Sequence, residues 1–252
     1  MVTTTNAAAT ICAASLLMSV AMADAAEIKV IASGGLKAAY LELVPGFERL
    51  SEHKVATTWA GSVDIMKRMQ AGGTFDLVIM PGASIDELMR LGKVIAGSRV
   101  DLAKSGIGAA VRTGSPKPDI SSGNALKRTL LAASSIAYST SASGVYLAGL
   151  FQRMGIADQL KPKIKQSSPG VPVGEMIARG EAEIGFQQVS ELLPVAGIDY
   201  LGPLPADVQH FTIFSSGLHI GAKEPEAAKA LINFIKAPAA APIIKKSGME
   251  PP

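Results

Sequence analysis

Three short turns in this chain carry residues whose types suit the binding of a small anion. They are Ser33-Gly34-Gly35, Gly61-Ser62 and the hydroxyl-rich residues 139–143. Each turn follows an apolar run and precedes a helical pattern, so it sets a helix N-terminus beyond the end of a strand. Backbone N–H groups, the positive end of the helix dipole and serine hydroxyls together bind an oxyanion without a counter-charge. The turns predict an anion-binding cleft, although helix capping alone would also account for each of them.

Other chemistries lack the residues that they need. The histidines, His53, His210 and His219, show no metal-ligand spacing, and the chain has no nucleophile elbow, P-loop or complete dinucleotide fingerprint. The single cysteine, Cys12, falls in the N-terminal apolar segment, so the mature chain has no thiol for a disulfide, a metal or a nucleophile. We therefore expect no metal site and no cofactor.

Further polar residues lie at strand ends or in first helical turns, where they could face the cleft: Tyr138, Glu175, Gln187, Gln188 and Glu191. Glutamates in a first helical turn also interact favourably with the helix dipole. The sequence leaves these two interpretations open.

The elements that position the turns alternate strand and helix. Residues 28–32, 55–59 and 75–80 have strand character, and helical patterns follow at 37–50, 63–71 and 85–91. Ser62 is placed to cap the second helix, and Ser84-Ile85-Asp86-Glu87 has the spacing of a capping box for the third. This order predicts a parallel sheet with helices on its faces, and the carboxyl ends of its strands collect the turns at one edge.

A second set of strands and helices occupies the middle of the chain. A long passage at about residues 107–115 leads into it, and a return at about 202–212 leads back. This predicts two lobes joined by a two-segment hinge, with the ligand between them. We assign residues 26–108 and 209–252 to lobe 1 and residues 109–208 to lobe 2.

The N-terminus differs from the rest. Residues 7–23 are small, apolar and uncharged and end in Ala21-Met22-Ala23, which predicts a signal peptide over residues 1–25, cleaved after Ala23 or Ala25. We therefore expect a periplasmic protein. Its net charge of +3 comes without a run of Lys or Arg, which argues against a nucleic-acid partner.

Several longer stretches match a known pattern. They are the first turn from Val30 to Ala39, Ala60-Gly61-Ser62-Val63-Asp64-Ile65, Phe75-Asp76-Leu77-Val78-Ile79, Ser143-Gly144-Val145-Tyr146, residues 178–185, Phe234-Ile235-Lys236-Ala237-Pro238 and Gly248-Met249-Glu250. Through them the mature chain resembles the periplasmic molybdate-binding proteins of ABC transporters. The resemblance implies an α/β, two-lobed type II periplasmic binding-protein fold with mostly parallel sheets. It also implies a small anionic ligand held by hydroxyls and backbone amides, and a transporter permease as partner.

The resemblance also implies a set of ligand-binding residues: Ser33, Gly34, Gly35, Gly61, Ser62, Ser143, Val171 and Gln188. Ser62 corresponds to a binding serine of the family, and Ser143 and the Gly170-Val171 region correspond to binding backbone amides. Gly35 stands where the family has another binding serine, with Ser33 nearby as a substitute, and Gln188 stands where it has a binding tyrosine. These exchanges leave a tetrahedral oxyanion short of donors, and an amide suits a carboxylate equally well.

The sequence leaves three functions open and favours the first of them. This is a transport receptor, which we expect to be monomeric, for a small oxyanion or organic acid. The second follows from a resemblance to the subgroup that includes aconitate isomerase, which interconverts cis- and trans-aconitate by a 1,3-proton shift. That reaction needs a base, for which Glu175 or His210 are candidates. The third is a sensory ligand-binding module with a membrane partner.

Overall fold

The computed structural model describes residues 25–168 and 170–252. The predicted signal peptide and Cys12 lie outside the described residues, except for Ala25. The described strands are β1 (Glu27–Ala32), β2 (Lys54–Trp59), β3 (Leu77–Pro81), β4 (Val100–Arg112), β5 (Ile136–Tyr138), β6 (Ile164–Gln166), β7 (Ile184–Gln188), β8 (Ile198–Pro203) and β9 (Phe211–Leu218). The described α-helices are α1 (Lys37–Ser51), α2 (Ser62–Gln70), α3 (Gly82–Arg90), α4 (Gly123–Ala132), α5 (Ala142–Arg153), α6 (Ala157–Leu160), α7 (Val173–Ala178), α8 (Val189–Leu192), α9 (Pro225–Lys236) and α10 (Ala241–Lys246).

The strands form one continuous path in the order β2-β1-β3-β9-β4-β7-β5-β6, with β8 paired to β4. Parallel pairing joins β1 to β2 and β3 at one end, and β5 to β6 and β7 at the other. Antiparallel pairing is confined to partners of β4 or β9 in the middle. The carboxyl ends of β1, β2 and β5 therefore lead into turns and helices as the sequence predicts.

The long strand β4 links the two halves of this path. Its residues Val100 to Gly106 pair with β9, and Ile107 to Arg112 pair with β7 and β8. Buried apolar residues fall into separate clusters on either side of that change of partner. The predicted two-lobed α/β fold is confirmed, while the predicted lobe boundaries after residues 108 and 208 stay a prediction.

Helices α1, α9 and α10 cover one face of the half of the sheet that contains β1. Their apolar side chains, such as Phe47 and Ile235, are buried in the same cluster as β1, and the rings of Phe47 and Phe234 meet edge to face with centroids 5.7 Å apart. No single helix in the described part of the chain is long and apolar enough to cross a membrane. The bent pair α9–α10 meets the length and composition test only when the two helices are taken together.

Two helix starts differ from the sequence prediction. Helix α2 begins at Ser62 itself after Gly61, and the Ser62 hydroxyl makes no capping hydrogen bond. Helix α3 begins at Gly82, directly after β3, so the predicted capping box at Ser84 was wrong. In both places the helix starts as soon as its strand or turn ends. In α2 this leaves the serine hydroxyl without an intrahelical partner.

Asp76 connects three segments of lobe 1 through hydrogen bonds of its side chain. Its carboxylate accepts hydrogen bonds from the backbone N–H of Lys29 in β1 (2.7 Å) and from those of Lys223 (2.7 Å) and Glu224 (3.0 Å) ahead of α9. The residue is 3% exposed, so its carboxylate has little access to water and depends on these three N–H groups for hydrogen bonds.

We expect Asp76→Ala to lower the free energy of unfolding by about 3 kcal/mol, because three partly buried donors lose their acceptor. Urea denaturation of the mature protein measures this. Asp119→Ala is the matched control, since the exposed Asp119 side chain accepts from one backbone N–H, that of Ser121, and we expect it to cost less than about 1 kcal/mol. Equal losses in the two variants would contradict this role of Asp76.

Candidate functional site

A cavity of about 570 Å³ lies where the strand-end turns of the two halves of the sheet meet. It is lined by the turns after β1, β2 and β5, by the segment before α7 and by the end of β7 with α8. Seven of the eight predicted ligand-binding residues lie on its wall: Ser33, Gly34, Gly35, Gly61, Ser62, Val171 and Gln188. The structure thus brings together positions up to 155 residues apart, as in the hydrogen bond between Ser190 and Gly35.

The eighth predicted residue, Ser143, lies beside the cavity without lining it. It is fully buried in the first turn of α5, while Ser139, Thr140, Ser141 and Ala142 form the adjoining wall. The Ser139 hydroxyl hydrogen bonds with that of Ser141 (2.5 Å) and accepts from the Ser141 backbone N–H (3.2 Å). These bonds hold the turn that presents the N-terminus of α5.

Three serine hydroxyls at this site are buried without a hydrogen-bond partner among the described residues: Ser33, Ser62 and Ser143. Ser33 is 3% exposed and Ser62 8% exposed, and both line the cavity. Buried hydroxyls are nearly always hydrogen-bonded in folded proteins, because leaving one unsatisfied costs about 1–3 kcal/mol. Ser33 and Ser62 are therefore available as donors to a molecule in the cavity.

Two helix N-termini near these hydroxyls favour an anion. Helices α2 and α5 begin at the cavity wall; the first turn of α5 carries no acidic residue, and that of α2 carries Asp64. Their unpaired N–H groups and dipoles add positive potential. Lys37, also on the wall, places its Nζ 5.5 Å from the centre of the Trp59 ring.

Phe214 explains the glycine at position 35. A Cβ atom on Gly35 would overlap the end of the Phe214 ring, which comes from β9 and is 2% exposed. The aromatic ring occupies the space that a serine side chain would need. The Ser33-Gly34-Gly35 turn therefore contributes its backbone and the Ser33 side chain to the cavity wall. The Phe214 ring takes the place of a second hydroxyl.

The side chain of Gln188 hydrogen bonds to neighbouring strands, whereas the resemblance implies that Gln188 binds the ligand. With its amide oriented so that both ends are satisfied, Nε2 donates to the carbonyl oxygens of Ser105 (2.9 Å) and Gly106 (3.2 Å), and Oε1 accepts from the Thr212 hydroxyl (2.9 Å). The residue is 1% exposed. The amide therefore joins β7 to β4 and β9, and a ligand can reach Gln188 mainly through its backbone.

Glu191, in the first turn of α8, brings a carboxyl group to the wall of the same cavity. A Cβ atom on Gly34 would collide with Oε1 of Glu191. Because glycine lacks that atom, the Glu191 carboxyl can reach the Ser33-Gly34-Gly35 turn. Burial raises the pKa of Glu191 to about 7, although hydrogen bonds from the Gln187 side chain and the Gln188 backbone and the charge of Lys37 act in the opposite direction.

The two bases proposed from the sequence occupy less favourable places. Glu175 lines the cavity, but its side chain is 52% exposed and lies 3.5 Å from Arg179 in an ion pair. His210 lies on a separate cavity and stacks on the Tyr146 ring, with centroids 4.5 Å apart. The sequence predicts only that Glu191 is placed where it could face the cleft and assigns it no role. The paired glycines of the first turn, which admit a close neighbour, were the available signal.

A two-lobed α/β fold with a donor-rich cavity between strand-end turns defines a solute-binding protein. Residues 28–250 match the family described as bacterial extracellular solute-binding protein. This chain belongs to that family, and the resemblance inferred from the sequence is confirmed.

Two curated relatives and one solved structure indicate where the chain stands within the wider group. It is 41% identical over 230 residues to an aconitate isomerase from Pseudomonas sp, an alignment that covers 89% of this chain and 87% of that protein. It is 27% identical over 237 residues to the molybdate-binding protein ModA of Azotobacter vinelandii, covering 90% of each chain. The solved structure of the Azotobacter vinelandii periplasmic molybdate-binding protein superposes with a TM-score of 0.74 at 20% identity, covering 89% of this chain and 99% of that one.

Proposed function

We propose that the cavity binds a small polycarboxylate of the aconitate type and that the protein interconverts its cis and trans forms. The observation that carries this proposal is the composition of the wall, where serine hydroxyls and backbone donors alternate with the apolar side chains of Trp59, Phe214 and Val171. Carboxylate groups suit the donors, and the carbon skeleton between them suits the apolar surface. A compact tetrahedral oxyanion has no such carbon surface. The 41% identical aconitate isomerase supports the same choice.

The reaction is a 1,3-proton shift across the three-carbon unit CH2–C=CH. A base removes a proton from the methylene carbon, and the electron pair of that C–H bond passes into an enolate-like system extending to a carboxylate. Protonation of the former vinyl carbon then forms the new C–H bond and leaves the double bond in the shifted position. Donors placed beside the carboxylate stabilise the charge that develops on it. In this chain Ser33, Ser62 and the backbone of Gly34 and Gly35 would serve that purpose.

A second candidate function is a periplasmic receptor that delivers an oxyanion to an ABC-transporter permease. The neutral donors at the helix N-termini and the molybdate-binding relative from Azotobacter vinelandii support it. Under either function the predicted signal peptide would direct the protein to the periplasm, and we expect a monomer. The two candidates differ in whether the bound anion changes chemically.

A ligand panel on the mature protein tests the proposal. We expect cis- and trans-aconitate to raise the melting temperature, because a ligand at a hundred times its Kd adds about 2.7 kcal/mol to the stability of the folded state. That free energy corresponds to a shift of roughly 5–11 °C in a chain of this size. Proton NMR of the same mixtures should show either isomer converting into the other.

Molybdate, tungstate, sulfate and citrate complete the panel. Stabilisation by molybdate or tungstate alone, with no effect of either aconitate, would contradict the proposal and favour the receptor. Binding of aconitate without any interconversion would leave an organic-acid receptor and contradict the isomerase.

A further inference from the structure

Three charged side chains among the described residues line the anion cavity: Lys37, Glu175 and Glu191. Lys37 and Glu175 are exposed, and Glu175 is paired with Arg179. Glu191 is different, because it is only partly exposed and its carboxyl group lies directly against the turn at Gly34. It is the acid that the fold holds inside the site.

The neighbours of Glu191 fix its position. Helix α8 is anchored to the first turn by the Ser190 hydroxyl, which donates to the carbonyl oxygen of Gly35 (2.6 Å). The Gln187 side chain lines the same cavity, and its Oε1 accepts from the backbone N–H of Val173 (2.9 Å). The helix that carries the carboxyl is therefore fixed to the Ser33-Gly34-Gly35 turn, and the neighbouring Gln187 side chain is fixed to α7.

A carboxylate in the wall of a binding site repels a bound anion and weakens its binding. An ionised Glu191 would repel the carboxylates of a ligand a few ångströms away, so a pure receptor would bind its anion better without it. Its presence in the wall points to another role. A carboxyl group whose pKa lies near neutrality can accept a proton and return it at neutral pH, which is what a proton-transfer reaction needs.

We propose that Glu191 is the catalytic residue that carries the proton between the two carbons of the substrate. This proposal rests on the proposed isomerase function. The ionised Glu191 takes a proton from the methylene carbon and becomes neutral, which removes its repulsion with the growing enolate charge. It then gives the same proton to the other end of the three-carbon unit and is ionised again, so no other reactant is consumed. Ser33, Ser62 and the backbone N–H groups of the first turn stabilise the intermediate charge.

The test compares the wild-type chain with Glu191→Gln in heavy water, using trans-aconitate as the probe. Proton NMR follows both isomerisation and the exchange of substrate C–H groups with solvent, and calorimetry follows binding. We expect Glu191→Gln to lower kcat by about 10²–10⁴-fold. Binding should be retained or tightened, because the neutral amide removes a negative charge from the site. Thermal unfolding verifies that the variant is folded.

Two further variants complete the design. Glu226→Gln is the matched control, since Glu226 also lies in the first turn of a helix but its side chain is 82% exposed. It should leave kcat unchanged. Glu175→Gln tests the competing base, and we expect a change of less than about fivefold, because Glu175 is exposed and paired.

The outcomes separate this proposal from the one on which it rests. A wild-type protein that binds aconitate but neither isomerises it nor exchanges its protons would overturn the isomerase function and this role together. An active wild type with a Glu191→Gln variant within fivefold of its rate would overturn the role of Glu191 alone. Loss of activity in Glu175→Gln with full activity in Glu191→Gln would assign the proton transfer to Glu175 instead.

Discussion

Replacing Gly144 with alanine is expected to destabilise the protein by about 3 kcal/mol or more and to weaken anion binding by at least tenfold. Gly144 lies in the first turn of α5, where an added Cβ atom would overlap the carbonyl oxygen of Ser139 and lie 2.7 Å from its carbonyl carbon. The neighbour is backbone, so it cannot rotate away as a side chain would. The turn that presents Ser139 and Ser141 to the cavity would have to move.

Denaturant unfolding and calorimetric titration with the ligand found in the panel measure the two effects. Gly149→Ala in the same helix is the matched control, because its Cβ atom would lie 3.3 Å from the flexible end of Arg153. We expect this control to stabilise the protein by up to about 1 kcal/mol, since alanine loses less backbone entropy than glycine in a helix. A Gly144→Ala variant as stable as the wild type would contradict the packing at this turn.

The second large effect is expected at Gly35. Gly35→Ser adds the side chain that the resemblance to molybdate-binding proteins would lead one to expect there, but its Cβ atom would fall on the Phe214 ring. Since Phe214 is buried in β9, the ring has little room to move. We expect a loss of about 1–3 kcal/mol in stability from this overpacking, accompanied by weaker binding of the anion found in the ligand panel.

A double-mutant cycle with Phe214→Leu identifies the cause. If the ring is the obstacle, the double variant should be at least about 1 kcal/mol more stable than the sum of the single effects implies. Gly46→Ser is the control, because a Cβ atom on Gly46 in α1 would make an ordinary contact of 3.4 Å with Phe234. Additive effects in the cycle would show that Phe214 does not exclude the serine.

Local signals in the sequence were strong where one strand runs directly into one helix. The hydroxyl and glycine turns at Ser33 and Ser62 were identified from their types and positions, and both lie on the cavity.

Helix α4 was not predicted, although Ser122 accepts a hydrogen bond from the Ala125 backbone N–H and caps it. Its start is also held by Asp207, 84 residues away, which accepts from the Gly123 N–H. A sequence pattern that covers one helical turn cannot predict a contact between residues so far apart in the chain.

The sequence by itself determined the α/β alternation, the two-lobed class of fold and the small polar turns, because strand and helix periodicity and the needs of a tight turn are properties of neighbouring residues. Only the tertiary structure decided which side chains face the cavity. In the folded chain the Gln188 amide hydrogen bonds to β4 and β9. Phe214 fills the space beside Gly35, and the Glu191 carboxyl lies against Gly34. Each of these contacts joins residues 24 or more positions apart in the chain. The burial and the pKa of such groups depend on the whole packing arrangement, which no local pattern contains.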